Sequence, residues 1–220
     1  YNNTNQLTNK TDNITGSCPF TAALPATART KTYQYLSSTL DLPTVIDSPS
    51  VAGGGALKRT TVSYTDTRFP TAPTSITQTG FTPTGVAVSR TISLGYSTQG
   101  LVSSINGPRA PSDPGMNGLD DVTTLAYYEC TTGTACGQLK TVTNALGQTT
   151  TYGNYTADGR VQSITDPNGL VTSYTYDALG RVLGRQTGAV LQTFAYDTCA
   201  NGSGRLCGIA DASGSTQFSY

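Results

Sequence analysis

The chain has 220 residues, with 13 Lys plus Arg against 13 Asp plus Glu and no His. The absence of His excludes Ser-His-Asp and Cys-His catalysis and every His-ligated metal site. A net charge of zero with few cations argues against nucleic-acid binding, which needs clustered Lys and Arg. No apolar run reaches the roughly 18 residues of a membrane span, and 13 Tyr with many Thr, Val and Ile suit β-strands.

The first part of the chain contains only loose versions of a hairpin pattern. Leu42–Ile46 and Arg59–Tyr64 fit the pattern loosely, and Pro and Gly concentrate in 47–58 and 106–120, where we expect the long loops. The chain starts at Tyr1 without Met or an apolar leader, and both ends lie inside the pattern. We therefore expect a mature fragment or an excerpt of something longer.

From residue 92 onward one pattern recurs: Tyr, three residues, Gly, any residue, then Val or Leu. It occurs with Tyr96 and Gly100, and again in 155–161 and 176–182. The glycines at 147, 159, 169 and 180 are separated by 12, 10 and 11 residues, a spacing typical of strand, tight turn and strand. We predict antiparallel strands over 150–220, with turns at 144–147, 157–159, 166–169 and 178–180.

The residues around these glycines predict one kind of turn. In Asp177-Ala-Leu-Gly180 the Asp side chain can accept bonds from its own backbone, while Gly supplies a positive φ. In the segment before this turn, Thr172–Tyr176, tyrosines occur at every second position, so one face of the strand carries them. Asp158, Asp177 and Asp197 recur at related positions, and we assign them to turns rather than to acid–base chemistry.

Four of the five cysteines occupy insertions where a plain repeat has its turn. Cys130 and Cys136 flank five residues, and Cys199 and Cys207 flank seven. We predict one disulfide in each pair, which indicates an oxidising, extracellular or periplasmic setting. The alternative is zinc bound by four thiolates, although metal knuckles use shorter spacings. Cys18 is expected to be unpaired within the chain.

The segment Tyr176-Asp-Ala-Leu-Gly-Arg-Val182 resembles the signature of the YD repeat, found in RHS-repeat proteins of bacteria and in teneurins of animals. The stretch 166–177 is similar to the one that usually precedes it, and 104–109 resembles another RHS element. The match is clear over 92–220 and degenerate over 1–91, in one continuous array. The signature positions are Tyr96, Gly100, Tyr155, Asp158, Gly159, Arg160, Tyr176, Asp177, Gly180, Arg181, Tyr196 and Asp197.

The resemblance implies an all-β fold, a spiral of antiparallel β-hairpins. In RHS proteins such a sheet closes into a hollow shell around a C-terminal polymorphic toxin. The resemblance thus implies a non-catalytic structural segment, extracellular or at the cell surface, without cofactor or metal. The implied partners are further β-repeat structure and an encapsulated toxin. The stretch 166–170 also contains half of the family's self-cleavage motif, but position 161 is Val instead of Pro, so we predict an ordinary turn.

Two other functions stay open at this stage. Identical copies could pair edge to edge as subunits of an extracellular fibre or tube, because truncated repeat arrays expose unpaired strand edges. The third and weakest hypothesis is a surface glycan-binding module that uses exposed tyrosines.

Overall fold

The structure, a computed structural model, describes residues 7, 9–12, 29–37, 40–50, 56–109, 120–130 and 133–220. Over these residues every regular element is a β-strand, and the strands pair antiparallel. The predicted all-β class of antiparallel hairpins is therefore confirmed. Cys18, for which we expect no partner, lies outside the described residues.

The chain divides into two compact units, Tyr1–Val122 and Thr123–Tyr220. Within the first unit each strand pairs with the next one along the chain, from β1 to β7. These strands are β1 Asn9–Asp12, β2 Arg29–Ser37, β3 Leu40–Pro49, β4 Leu57–Ser63, β5 Ser75–Phe81, β6 Ala87–Tyr96 and β7 Val102–Asn106.

The second unit repeats this order from β8 to β16, with each strand again paired with the next. Its strands are β8 Val122–Tyr127, β9 Leu139–Thr143, β10 Thr149–Tyr155, β11 Val161–Thr165, β12 Val171–Tyr176, β13 Val182–Thr187, β14 Val190–Tyr196, β15 Leu206–Asp211 and β16 Gly214–Gln217. Val122, the first residue of β8, belongs to the first unit.

The period-two pattern of the sequence sets the faces of the strands. In β12, Thr172, Tyr174 and Tyr176 are half-buried, whereas the residues between them are exposed. In β14 the same alternation places Phe194 and Tyr196 on the half-buried side. Successive side chains of a strand point to opposite faces, so the aromatic residues of each of these two strands share one face.

Burial is shallow throughout the described residues. Among them, Tyr155 and Cys207 are the buried large apolar side chains and Asp47 is the buried charged one. Large apolar side chains stay exposed on turns, for example Leu146 and Leu179. With so little core, each unit depends on cross-strand pairs and on contacts around its turns.

The predicted turns are confirmed and share one backbone geometry. At Asp177–Arg181, the Gly180 N–H donates to the Asp177 carbonyl at 2.9 Å and the Asp177 N–H donates to the Arg181 carbonyl at 3.0 Å. Gly180 has a φ of 80°, as the three-residue hairpin loop with a left-handed Gly requires. The same two bonds close the turns 97–101, 144–148, 156–160 and 166–170.

The expected loop 47–58 is shorter than predicted. Strand β3 runs to Pro49 and β4 begins at Leu57, because Asp47, Ser48 and Pro49 pair with β4 in register. A Pro at the end of a strand is tolerated because it lacks only one N–H donor of the pairing. The connection is therefore limited to 50–56.

Candidate functional site

The turns of each unit alternate between two edges, because consecutive strands run antiparallel and pair in chain order. In both units, one edge carries the turns that follow the even-numbered strands. We call this the tyrosine edge, since Tyr96, Tyr155, Tyr176 and Tyr196 each end the strand that leads to it. The recurrent residues of the sequence therefore meet at one place in each hairpin.

Tyrosine hydroxyls at this edge bond backward to the preceding strand. In the second unit, the Tyr176 hydroxyl donates to the Val161 carbonyl at 2.6 Å. Tyr155 donates in the same way to the Leu139 carbonyl at 2.6 Å. Both acceptors are first residues of a strand, β11 and β9. Each bond therefore fixes the end of one strand against the start of the strand before it.

The same arrangement recurs along both units. Tyr220 donates to Leu206 at 2.9 Å, Tyr96 to Pro73 at 2.7 Å, Tyr64 to Pro43 at 3.2 Å and Tyr35 to Leu7 at 2.6 Å. We call these six residues, with Tyr155 and Tyr176 included, the anchoring tyrosines. Five of these hydroxyls are partly buried and find acceptors, as the polar end of a packed tyrosine requires, while that of Tyr220 is exposed.

The packing of these rings affects their ionisation. Burial raises the pKa of Tyr64, Tyr96, Tyr155 and Tyr176 above the ordinary value of a phenol. The hydroxyls therefore stay protonated, and remain hydrogen-bond donors, at least up to the pH at which an ordinary tyrosine ionises.

Tyr196 departs from this arrangement and packs against a cation. The guanidinium of Arg181 lies 4.4 Å from the centroid of the Tyr196 ring. The same guanidinium donates through Nε to Asp177 Oδ2 at 2.7 Å and through Nη2 to Asp197 Oδ2 at 2.6 Å. Arg181 thus joins the carboxylates of two successive hairpins, and a cation–π contact accompanies the pair.

In two other places, the side chain that ends one turn at the tyrosine edge covers the next turn at the same edge. A Cβ on Gly180 would collide with the Arg160 guanidinium. A Cβ on Gly159 would lie 2.9 Å from Gln138 Nε2. Successive hairpins of the second unit are therefore held together by side chains as well as by strand pairing.

Both disulfides lie at the tyrosine edge of the second unit. Cys130 and Cys136 join in the loop after β8 with an S–S distance of 1.97 Å, and Cys199 and Cys207 join after β14 at 2.08 Å. In the first loop, the Thr134 hydroxyl donates to the Tyr155 carbonyl at 2.8 Å. The longer loops thus keep contact with the neighbouring hairpin.

The second disulfide closes around a glycine that the sequence did not single out. A Cβ on Gly202 would lie 2.5 Å from Cys199 Sγ and 2.6 Å from Cys207 Sγ. Real Cβ atoms do not approach other atoms so closely, so the compact loop requires a residue without a side chain.

One of the sequence positions, Asp158, takes another role than its spacing indicates. Asp177 begins its turn and accepts the Leu179 and Arg181 N–H groups, but in the turn 156–160 the Thr156 hydroxyl occupies that place. Asp158 lies two residues further on and pairs with Arg160. In the turn 166–170, Asp166 accepts from Asn168 and Leu170 like any other first residue.

A turn of the same geometry escaped the sequence analysis. At 82–86 the Gly85 N–H donates to the Thr82 carbonyl at 2.9 Å, and the Thr82 hydroxyl accepts from the Val86 N–H at 3.1 Å. The signal was present, because Thr-x-x-Gly also begins the turn at Thr156.

The carboxylates of the described residues are placed for structure. Hydrogen bonds from Arg59 hold the pKa of Asp47 below its usual value, and Arg181 does the same for Asp197. Burial opposes the shift at Asp177, but the backbone N–H and guanidinium of Arg181 leave its pKa lowered. Groups held ionised in this way are poor general acids near neutral pH.

The described residues contain neither a metal-binding cluster nor a membrane-spanning helix. No three His, Cys, Asp or Glu side chains of this part of the chain lie together as a metal-binding group. No helix among the same residues is long and apolar enough to cross a membrane.

Comparison with known proteins identifies the repeat. The RHS Repeat family model matches residues 155–190, a stretch that begins at an anchoring tyrosine and contains the whole turn 177–181. No curated protein matched the chain.

Solved structures share the fold at low identity. That of TcdB2-TccC3 without its hypervariable C-terminal region aligns with a TM-score of 0.54 and 14% identity, over 84% of this chain and 10% of that chain. TcdB2-TccC3 itself aligns with a TM-score of 0.49 and 13% identity, over 84% and 11% of the two chains. The chain thus spans about a tenth of the length of the structures it matches.

The fold and the repeated edge define a β-hairpin repeat protein. The family match shows that residues 155–190 form an RHS repeat. The RHS repeat is a structural element, and it gives this chain a structural role.

Proposed function

We propose that the chain forms part of the wall of a β-repeat shell that encloses and delivers a toxin, and that it performs no catalysis itself. The observation that carries the proposal is the linkage of successive hairpins at the tyrosine edge. Each hairpin is bound to its neighbours by strand pairing, anchoring tyrosines and side chains such as Arg181. A wall built by adding hairpins needs this kind of nearest-neighbour contact.

The shallow burial supports the same role. Strands of the described residues have few fully buried side chains, so each unit resembles a sheet layer more than a self-contained globule with a thick core. A layer of this kind suits the boundary of a compartment. The partners would be further β-repeat structure and an enclosed polypeptide.

The two disulfides support a location outside the cell or at its surface. Small local disulfides persist in oxidising compartments and are rare in the cytosol. Both join short loops, and Cys130 and Cys136 are exposed, so reducing conditions would reach that bond directly.

The test is the mass and shape of the native particle, isolated with an antibody raised against this chain. A hollow particle on the order of ten times the 22.9 kDa of the chain would support the shell. Long assemblies of 22.9 kDa subunits would overturn it and establish the fibre. A free-standing monomer of 22.9 kDa would overturn both.

A further inference from the structure

A surface depression lies in the first unit, at the edge opposite the tyrosine edge. Its volume is about 230 Å³, and its lining includes Lys58, Gln78, Gly80, Phe81, Val88 and Arg90. These residues belong to three adjacent strands, β4, β5 and β6. None of them takes part in the anchoring contacts described above.

The depression exists because a glycine interrupts the row of side chains across the sheet. Gly80 pairs directly with Val88, and a Cβ on Gly80 would meet only the Lys58 backbone and stem, at 3.9 Å. The glycine does not have a positive φ, so its backbone would accept a side chain. The missing side chain leaves space between the Lys58 stem and Val88.

Two cations border this space without an acid to neutralise them. Arg59 and Arg68 of the same unit pair with Asp47 and Asp66. By contrast, no acidic side chain of the described residues pairs with Lys58 or Arg90. The positive charge at the depression is therefore available to an anion.

The other lining groups indicate what kind of anion would fit. The Gln78 side chain, directly opposite Arg90 in the pairing, offers an amide, and Val88, opposite Gly80, is 44% exposed and offers an apolar surface. The volume equals roughly eight water molecules at about 30 Å³ each. That is room for one six-membered ring with its substituents and much more than a lone carboxylate needs.

We propose that this depression binds a hexuronic acid residue of an acidic polysaccharide. The carboxylate would pair with Lys58 and Arg90, since Arg and Lys recognise carboxylates by charge-assisted hydrogen bonds. The ring would occupy the space above Gly80, with its hydroxyls near Gln78 and its C–H surface towards Val88. The site is separate from the shell function and adds a contact to acidic glycan on one surface of the chain.

Titration calorimetry of the full 220-residue chain with a tetrasaccharide of galacturonic acid tests the proposal. The methyl ester of the same tetrasaccharide is the matched neutral ligand. We expect the acid to bind and the ester to bind at least about tenfold more weakly. No heat of binding with the acid at millimolar concentration, or equal binding of the ester, would overturn the proposal.

Three variants distinguish a shaped site from loose charge attraction. The double change Lys58→Gln with Arg90→Gln removes the charge, and we expect an affinity loss of at least about tenfold. Gly80→Val fills the space but keeps both cations, and we expect a similar loss. Arg185→Gln removes an exposed cation of the second unit and should leave binding unchanged within about twofold.

Full binding by Gly80→Val would overturn the proposal, because binding would then need only surface charge. A hexaglutamate peptide that binds as tightly as the sugar acid would overturn it in favour of an acidic polypeptide. Circular dichroism and thermal melting check the fold of each variant. The Lys58 and Arg90 side chains are exposed, so the double variant keeps the test decisive even if Gly80→Val does not fold.

Discussion

The guanidinium Nη2 of Arg181 lies 2.6 Å from Oδ2 of Asp197, across 16 residues of sequence. The two residues belong to the turns after β12 and β14, so this ion pair connects successive hairpins at the tyrosine edge. The same Arg181 also holds Asp177 within its own turn. One side chain thus stabilises a turn and its junction with the next repeat.

This relationship predicts a coupling between Arg181 and Asp197. We expect Arg181→Gln and Asp197→Asn each to lower the free energy of unfolding, because each leaves a carboxylate or guanidinium without its partner. Asp197→Asn should then have a smaller effect in the Arg181→Gln background, since the partner is already gone. Urea unfolding of the four proteins measures the coupling, and strictly additive effects would contradict the bridge.

The hydroxyl of Tyr176 should contribute to stability apart from its ring. We expect Tyr176→Phe to lower the free energy of unfolding by about 1 kcal/mol, the usual value of one hydrogen bond. Tyr174→Phe is the control, because its ring stacks beside Tyr176 at 6.5 Å and its hydroxyl makes no hydrogen bond among the described residues. Equal effects of the two changes in urea melts would mean that the anchoring bond adds nothing.

Peptide mapping without reduction tests the disulfides directly. We expect Cys130 linked to Cys136 and Cys199 linked to Cys207, since each pair lies within one loop. Free thiols at all four positions, or a link from Cys130 to Cys207, would contradict this pairing.

A glycine pair tests how the second disulfide loop is built. Gly202→Ala places a Cβ 2.5 Å from Cys199 Sγ, so we expect loss of the disulfide and of the roughly 2–3 kcal/mol that closing so short a loop contributes. Gly204→Ala meets nothing within 4 Å and suffers only from its φ of 76°, at about 1–2 kcal/mol. The thiol count distinguishes them, and a fully oxidised Gly202→Ala protein of normal stability would refute the packing.

The pair of Asp47 and Arg59 should make the stability of the fold depend on pH in the acid range. Hydrogen bonds from Arg59 lower the folded-state pKa of Asp47 below the unfolded value of 3.8. The stability from this pair is therefore complete above pH 3.8 and is lost as the pH falls through the lower folded-state pKa. In urea unfolding at a series of acid pH values, Asp47→Asn should reduce this loss of stability, and Arg59→Gln should reduce it equally. The same loss as in the unchanged chain, in either variant, would exclude the pair as its source.

The anchoring tyrosines should set the alkaline limit. Burial raises the folded-state pKa of Tyr155 and Tyr176 above the unfolded value of 10.0. Their contribution is therefore present below pH 10.0 and is lost as the pH rises through the folded-state pKa. Phenolate absorbance of the native chain should rise at higher pH than that of the urea-unfolded chain. Coincident curves would show that the rings are not packed as described.

Features that depend on neighbours in sequence were predictable. The turn at Asp177 follows from a carboxylate that accepts its own backbone N–H groups and from a glycine three residues later. The turn at Thr82 was missed because Thr replaces Asp there, although its hydroxyl serves the same purpose. The repeat pattern assigned Asp158 and Asp177 to related positions. In the structure, the position equivalent to Asp177 in the turn 156–160 belongs to Thr156.

Features that depend on adjacent hairpins were not predictable. The bond from Arg181 to Asp197 requires knowing that the turns after β12 and β14 lie at one edge and at what distance. The Gly80 depression depends in the same way on β4 and β6 lying on either side of β5. Tyr196 carries the repeat signature but lacks the anchoring bond and packs against Arg181 instead.

The six anchoring tyrosines each donate to a carbonyl that lies earlier in the chain, as Tyr176 does to Val161 and Tyr155 to Leu139. A ribosome makes these acceptors first, so each new hairpin can fasten to strands that have already emerged. Strands also pair in the order of synthesis, so folding could follow chain growth. The growing end of the sheet would then present one new strand at a time to unwanted association, however long the finished protein is.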